Sequence, residues 1–502
     1  MTALKKCLLG TVAGFVATTG AEAANLPAKA PPVQYVKICT LYGDGFYFIP
    51  GTDTCIRVGG YARADLGWNV TGARTANYAG QGGAQDRTSL DLSTRGRANF
   101  GMDTRTQTQF GVVRAVGAVH FQNQDATESM NTSRAFVQWA GWTLGRIKSF
   151  QDTFSLNESW NLAQGQTNSD TGANGVQSVA YTFDLGKGVT FDVGADDRRT
   201  KQIANLSVAS TLRLGAEATD SHATQTWPDL YGALHIDEPE GFFAISAGVH
   251  NVNASYYSGS GIKGSPFAGL TCAQPGTSLC GHPSDKVGSF VQVGGEYKLP
   301  GLGGDRIGAG FRYGVGASQF GGGSTLASPD LFDGNNSVAV GWITDGVFVN
   351  GSSIELTNTW SAQGGYEHRW LPNLGTTIFA GFSHISYNSQ AKVYFSGALC
   401  GVANTGATTQ TSFTVTGNNC NPDWSFLELG SKTTWRPIPG LAISGEVMYN
   451  QVYTAFSGNT GNLLANAPGA RPTGAYALSD HAIWTAFFRI QRNYNAAGAG
   501  AE

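Results

Sequence analysis

From Thr54 onward the chain is built from segments of about ten residues in which apolar and polar side chains alternate, and few segments carry a 3.6-residue apolar period. Alternation of period 2 belongs to strands with two unlike faces. In "IRVGGYARADLGW", Ile56, Val58, Gly60, Ala62, Ala64, Leu66 and Trp68 share one parity, while Arg57, Gly59, Tyr61, Arg63, Asp65, Gly67 and Asn69 share the other. Near the other end, Trp484, Ala486, Phe488, Ile490 and Tyr494 face one way, and Ile483, Thr485, Phe487, Arg489, Gln491 and Asn493 the other. Arg492 interrupts the apolar face and has to reach the membrane rim through its long side chain.

The connections alternate in length. Short, Pro-, Gly- and Asp-punctuated turns are read at 102–107, 140–141, 184–188, 237–241, 299–305, 371–375 and 436–440. Long tracts rich in Gly, Ser, Asn and Thr cover 70–88, 121–132, 149–177, 197–228, 252–287, 316–353, 388–423 and 456–479. Seven hairpins with a first and a last strand give about 16 strands. An even strand number, short turns at one end and long loops at the other predict a transmembrane antiparallel β-barrel. A soluble sandwich of this length would be abnormal, no fixed repeat of 20–50 residues supports a solenoid, and mean hydropathy is −0.15.

Residues 1–23 read as an export leader. Lys5 and Lys6 precede a short apolar core, and Ala21-Glu22-Ala23 supplies a cleavage signal, so the mature start falls at Ala24. The chain divides on this reading into the leader (1–23), a Pro-rich segment with a cysteine-closed loop (24–55), the barrel (56–494) and a C-terminal extension (495–502). Of seven cysteines Cys7 lies in the leader; Cys39, Cys55, Cys272, Cys280, Cys400 and Cys420 remain. In an exported chain an even number suggests disulfides, and pairing of sequence neighbours closes the shortest loops. No later stretch has 18 consecutive apolar residues, so no transmembrane helix is expected; a closed barrel satisfies its backbone in lipid equally well.

Charged residues are 13% of the 502, with a net charge of −3 and no basic run, which excludes nucleic acid as the main partner. No catalytic motif is present, and the G-x-G-x-x-G at 259–264 sits inside a Gly/Ser tract without flanking strand and helix. No C-x-x-C or cysteine–histidine spacing supports a metal site. No enzyme activity, cofactor or metal is expected.

The stretch "YVKICTLYGDGFYFIPGTDTCIRVGGYARADLGW" resembles the N-terminal signature of the trimeric general porins of alphaproteobacteria, the Rhizobiales porin family. So do "RTSLDLSTRGRANFGMDTRTQTQFGVVRA", "SRAFVQWAGWTLGRIKSF", "IELTNTWSAQGGYEHRWLPNLGTTIFAGFSHISY" and "FFRIQRNY". The blocks run in order from about 35 to 494. The resemblance implies 16 strands, three copies per assembly in the lipid and lipopolysaccharide of an outer membrane, and a third outer loop folded into each pore. Two departures stand out: eight residues follow Tyr494, where the family ends on an aromatic, and the tract 197–228 and the cysteine-bearing outer loops are less alike.

A diffusion pore needs a polar constriction, in which basic residues facing acids orient and filter solutes. On strand parity Arg63, Arg95 and Arg97 face the lumen; Arg114 shares parity with Val112 and Val116 and is the less regular member. The loop after "GRIKSF" supplies Asp152, Glu158 and Asp170 for the opposing side. The expected function is passive diffusion of small hydrophilic solutes and ions; a solute-selective channel, for instance for a sugar, and a secreted β-structured adhesin are the alternatives. Cys39 and Cys55 are expected to resist alkylation until the protein is reduced; labelling of either in the unreduced, denatured chain would remove that disulfide.

Overall fold

The computed structural model describes residues 37–69, 92–154, 160, 162, 171, 175–197, 203–206, 226–255, 282–323, 330–332, 336–400, 415–461, 472 and 474–494. Sixteen long strands form the wall: β1 (Thr54–Trp68), β2 (Leu92–Thr108), β3 (Gly111–Gln124), β4 (Thr127–Trp139), β5 (Trp142–Ile147), β6 (Val176–Gly186), β7 (Val189–Asp196) and β8 (Asp229–Glu238) make the first half. The second half is β9 (Gly241–Val252), β10 (Lys286–Lys298), β11 (Arg306–Val315), β12 (Glu355–Leu371), β13 (Leu374–Tyr387), β14 (Trp424–Ile438), β15 (Leu441–Tyr453) and β16 (His481–Tyr494). Each pairs antiparallel with its neighbours. The last strand returns to the first, Gly60 opposite Tyr494 through Trp68 opposite Ala486, and the sheet closes.

Side-chain parity follows the sequence. Val58, Leu66 and Trp68 are exposed on the outer face of β1, whereas Tyr61, Arg63 and Asp65 are buried inside. Trp139 and Trp142 flank the Ala140-Gly141 turn and are exposed, as are Phe110, Trp370 and Trp435 at the short-turn end; Trp68 and Trp484 stand at the other rim. Arg492 carries its guanidinium to the Pro439 carbonyl of a short turn. The closure has a local requirement at Gly60: a Cβ there would meet the Asn99 carbonyl oxygen at 2.1 Å and the Tyr494 hydroxyl at 2.6 Å. The empty position lets that hydroxyl donate across β1 to the Asn99 carbonyl of β2, at 2.5 Å.

Two expected connections are corrected. The first short turn is Gln109-Phe110 rather than 102–107, because pairing of β2 with β3 continues to Thr108 opposite Gly111. The polar tract 121–132 is not a long loop. It is strand on both sides of a two-residue turn, Asp125-Ala126, both at positive φ (50° and 65°), the geometry of a tight hairpin. The Asp125 carboxylate accepts from Ser93 Oγ and the Thr94 amide at 2.6 Å each, which ties the turn to β2.

At the long-loop end several connections share one core. Short strands at 330–332, 337–340, 415–419, 457–460 and 477–478 make a second sheet. Helix α1 (Ser389–Leu399), absent from the sequence reading, is capped by the Asn388 side chain accepting from the Ala391 amide at 2.8 Å. Its Phe395 packs with Trp342, Trp424 and Phe456, and the Trp342 carbonyl accepts from Tyr387 Oη (2.8 Å) and Trp424 Nε1 (2.7 Å). A Cys400–Cys420 disulfide closes the loop carrying α1, and a Cys39–Cys55 disulfide closes the segment before β1. Cys272 and Cys280 lie outside the described residues, as do residues 1–36 and 495–502.

At the other end Asp305 pins the turn between β10 and β11. Its carboxylate accepts from Tyr366 Oη (2.5 Å), His368 Nδ1 (2.9 Å) and the Arg369 amide (2.8 Å) on β12. The tyrosine bond, with the backbone and histidine bonds, lowers its pKa to about 2. A carboxyl held below its unfolded value of about 4 stabilises the fold above that pH and stops doing so as pH falls toward 2. Proteolytic nicking at 299–305 should therefore be suppressed above pH ~4 and rise between ~4 and ~2; Asp305→Asn should be nicked alike across that range, and a native chain without the rise would refute the anchor.

Candidate functional site

The lumen is shaped by the third connection at the long-loop end, which leaves β5 after Ile147 and turns inward. Its backbone and side chains are taken up in sequence by the inner faces of successive strands. Ser149 Oγ donates to Asp196 of β7 (2.5 Å), the Phe150 carbonyl meets His235 Nε2 of β8 (2.8 Å), and Ser246 Oγ of β9 donates to the Gln151 carbonyl (2.6 Å). Gln292 of β10 bonds Gln151, and the Phe154 carbonyl accepts from Arg312 of β11 and from Gln363 Nε2 of β12, the last at 2.9 Å. Farther along, the Leu162 amide donates to Glu446 Oε2 of β15 at 2.5 Å. The loop therefore runs from β5 to β15 inside the wall.

Glycines on the inner faces of the wall strands make this possible. A Cβ at Gly294 would lie 2.3 Å from Phe154 Cβ, and one at Gly308 would lie 2.9 Å from both Phe154 and Trp160. Phe154 and Trp160 are buried in the track so formed and meet edge to face at 6.1 Å. Burial of two such rings stabilises the inward position by roughly 1.5–3 kcal/mol each. Trp160 Nε1 donates to Glu296 (3.2 Å), while the Arg306 guanidinium covers the indole at 4.6 Å and pairs with Glu296 (3.0 Å) and Glu367 (2.6 Å).

On β1, β2 and β16 the wall is basic. Asp65 is held by Arg95 (Nη2 2.8 Å), Arg489 (Nε 2.7 Å) and Arg63 (Nε 3.7 Å). Arg97 donates through Nε and Nη2 to Gln122 Oε1 of β3, at 2.8 and 2.6 Å. Arg63, Arg95 and Arg97 thus lie together on the inner face. Arg114 also bonds inner-face groups, yet it is not beside them. It donates to Asp103 (Nε 3.1 and 3.2 Å, Nη2 3.0 Å) and through Nη1 to Gln138 (2.9 Å), near the short-turn end of β3.

Asp152 is nearly inaccessible: its carboxylate accepts from Thr171 Oγ1 and stands 3.9 Å from Arg312 Nη2, on the wall that holds the loop. Glu158 and Asp170 lie outside the described residues. Arg489, Arg306, Arg312 and Glu446 were not among the expected site residues. Parity of the last strand already placed Arg489 with Phe487 and Gln491; no one-dimensional signal marks Glu446 as the partner of a loop 284 positions away.

A closed antiparallel barrel with a lipid-facing apolar exterior and a loop folded through a charged interior defines an outer-membrane β-barrel. Residues 23–485 match the family model described as Porin subfamily, and the chain belongs to that family. It is 30% identical over 185 residues to the y4fJ outer membrane protein of Sinorhizobium fredii, covering 36% of this chain and 50% of that one. It is 29% identical over 217 residues to porin Omp2a of Brucella ovis, covering 39% and 60%. The chain thus spans between half and three-fifths of these relatives' lengths. Its fold is similar to the outer membrane channel DcaP of Acinetobacter baumannii, with TM-score 0.55, 15% identity, and coverage of 89% of this chain and 99% of that one.

The glycine track gives a direct test. Gly308→Val should expel Phe154 and Trp160, and residues 148–162 should become protease-sensitive while the barrel keeps its heat-modifiable migration. Equal protection of the loop in both proteins would show that the track does not seat it.

Proposed function

We propose that the protein is a water-filled channel for passive diffusion of small hydrophilic solutes and ions across a Gram-negative outer membrane. The observation that carries this reading is the path of the third loop, attached from β7 to β12 and again at Glu446 of β15, while the inner faces of β1, β2 and β16 carry Arg63, Arg95, Arg97 and Arg489. A loop held against one wall narrows the lumen toward the opposite, basic wall. Fixed charges at a narrow, low-dielectric passage act on permeating ions more strongly than they would in bulk water. Arg63, Arg95 and Arg97 are the proposed basic side of the constriction, with Arg114 nearer the short-turn end. Asp152, engaged with Arg312 and Thr171, acts by anchoring the loop; Glu158 and Asp170 are proposed as the acidic side of the constriction.

The outer face is suited to lipid on most strands, and assembly as a homotrimer in lipid and lipopolysaccharide is the arrangement the family membership favours. Export through the 1–23 leader is part of the same reading.

Reconstituted protein should raise planar-bilayer conductance in discrete steps that grow roughly in line with salt. Replacing Arg95 and Arg97 together by Gln should lower the anion-to-cation permeability ratio by about twofold or more. No steps would end the channel reading, and an unchanged reversal potential in a salt gradient would remove the two arginines from the constriction. Saturable block by a sugar at low concentration would replace general diffusion with a solute-selective channel.

A further inference from the structure

The segment closed by Cys39 and Cys55 takes no part in the constriction, and its packing shows where it acts. Tyr47 and Phe48 pair with Ile56 and Cys55, so the segment folds back along the short-turn end of β1. Phe46 and both cysteines are fully buried. The Arg57 guanidinium lies over the Phe46 ring at 4.6 Å; that of Arg105 lies over the same ring at 4.9 Å and over Tyr42 at 5.6 Å. Tyr42 and Phe46 meet edge to face at 5.9 Å. The disulfide-closed loop is an aromatic seat for two arginines of the inner wall.

The charges there do not balance. Asp103 accepts from Arg105 (Nε 3.1 Å, Nη2 2.9 Å) and from Arg114 (Nε 3.1 Å, Nη2 3.0 Å), which fill its carboxylate. Arg57 stands farther off, Nη2 at 3.6 Å, and its buried Nε has no hydrogen-bond acceptor. Among the described residues three guanidiniums share this one carboxylate. Asp44 and Asp53, the acids of the loop, are exposed and enter no ion pair among the described residues. The three arginine side chains keep 15%, 24% and 30% of their surface open, whereas Asp103 keeps none. Asp103 follows Arg95 by eight positions on β2, or about 27 Å along the strand, so the cluster is separate from the constriction and lies toward the periplasmic mouth.

We propose that Arg57, Arg105 and Arg114 form an oxyanion-binding station at the periplasmic mouth, held by the disulfide-closed loop, that takes the carboxylate or phosphate group of a permeating solute. Aromatic faces fix the guanidinium planes of Arg57 and Arg105, and the N–H groups of the three arginines that Asp103 and Gln138 do not take are the ones that would donate. Asp103 holds the like charges together without neutralising them, and the excess positive charge with paired N–H donors fits an oxyanion. The station rests on the channel reading above.

Single-channel recording with protein inserted in one orientation tests it, with citrate or inorganic phosphate added to one side at constant ionic strength. In the native protein one or both anions should block from the short-turn side, and the stronger blocker identifies the preferred group. Arg57→Gln should raise the blocking concentration about tenfold from that side and leave block from the long-loop side unchanged. The Cys39→Ser/Cys55→Ser pair should shift it in the same direction. If that pair does not give heat-modifiable barrels, Phe46→Leu, which fills the space without the aromatic face, should weaken block likewise. Steps with no block by either anion in the native protein, or block that Arg57→Gln leaves unchanged, overturn the station alone. Absence of steps in the native protein overturns the channel reading and the station with it.

Discussion

Everything in this structure follows from the demand that backbone N–H and C=O groups find partners where no water is available. In lipid an unpaired sheet edge leaves a row of polar groups unsatisfied, each at a cost of several kcal/mol, so β16 must return to β1. The pairing of Gly60 through Trp68 with Tyr494 through Ala486 makes that return. Its detail is economical: a glycine on β1 opens a passage through which the Tyr494 hydroxyl reaches the Asn99 carbonyl on β2. Three strands are tied by one side chain at the seam between the chain's two ends.

Closure creates an interior that cannot be packed like a soluble core, because alternate side chains of every strand point into it. The chain fills it unevenly. On β10 to β12 the inner positions are largely Gly, Gln and Arg, which leave room for Phe154 and Trp160 and supply donors to the loop's carbonyls. On β1, β2 and β16 they are arginines gathered around Asp65. The buried Asp65 carboxylate is tolerable because three guanidiniums pair with it, and the same pairing ties those basic side chains to one point of the wall. One wall therefore receives the loop and the opposite wall stays charged.

Most of the wall was legible in the sequence, since lipid and lumen impose opposite polarity on alternate residues. Even Arg492, which breaks the pattern, does so where its side chain reaches a turn carbonyl. What misled was composition: "FQNQDATESMNT" is polar enough to look like a loop, yet cross-strand pairing and the Asp125 bonds to β2 hold it as a hairpin. Helix α1 was missed although its buried residues, Ala391, Tyr394, Phe395, Ala398 and Leu399, recur at helical spacing, because that stripe spans little more than two turns inside a tract otherwise read as loop. The site was legible by halves. Parity put Arg63, Arg95 and Arg97 inside, but the loop's partners, Glu446 above all, depend on contacts between positions hundreds of residues apart.

The two arginine groups show how one strand can serve two depths of a passage. β2 contributes Arg95 to the Asp65 cluster and Asp103 with Arg105 to the other, on the same face because their spacings are even. In each group a single aspartate holds arginines from neighbouring strands, which sets their height in the wall. The difference lies in what stands behind them. Among the described residues the Asp65 group is braced by wall strands, whereas Arg57 and Arg105 rest on Phe46, a residue delivered by a covalent loop that precedes the barrel. A disulfide at that point holds the aromatic seat without adding another charge.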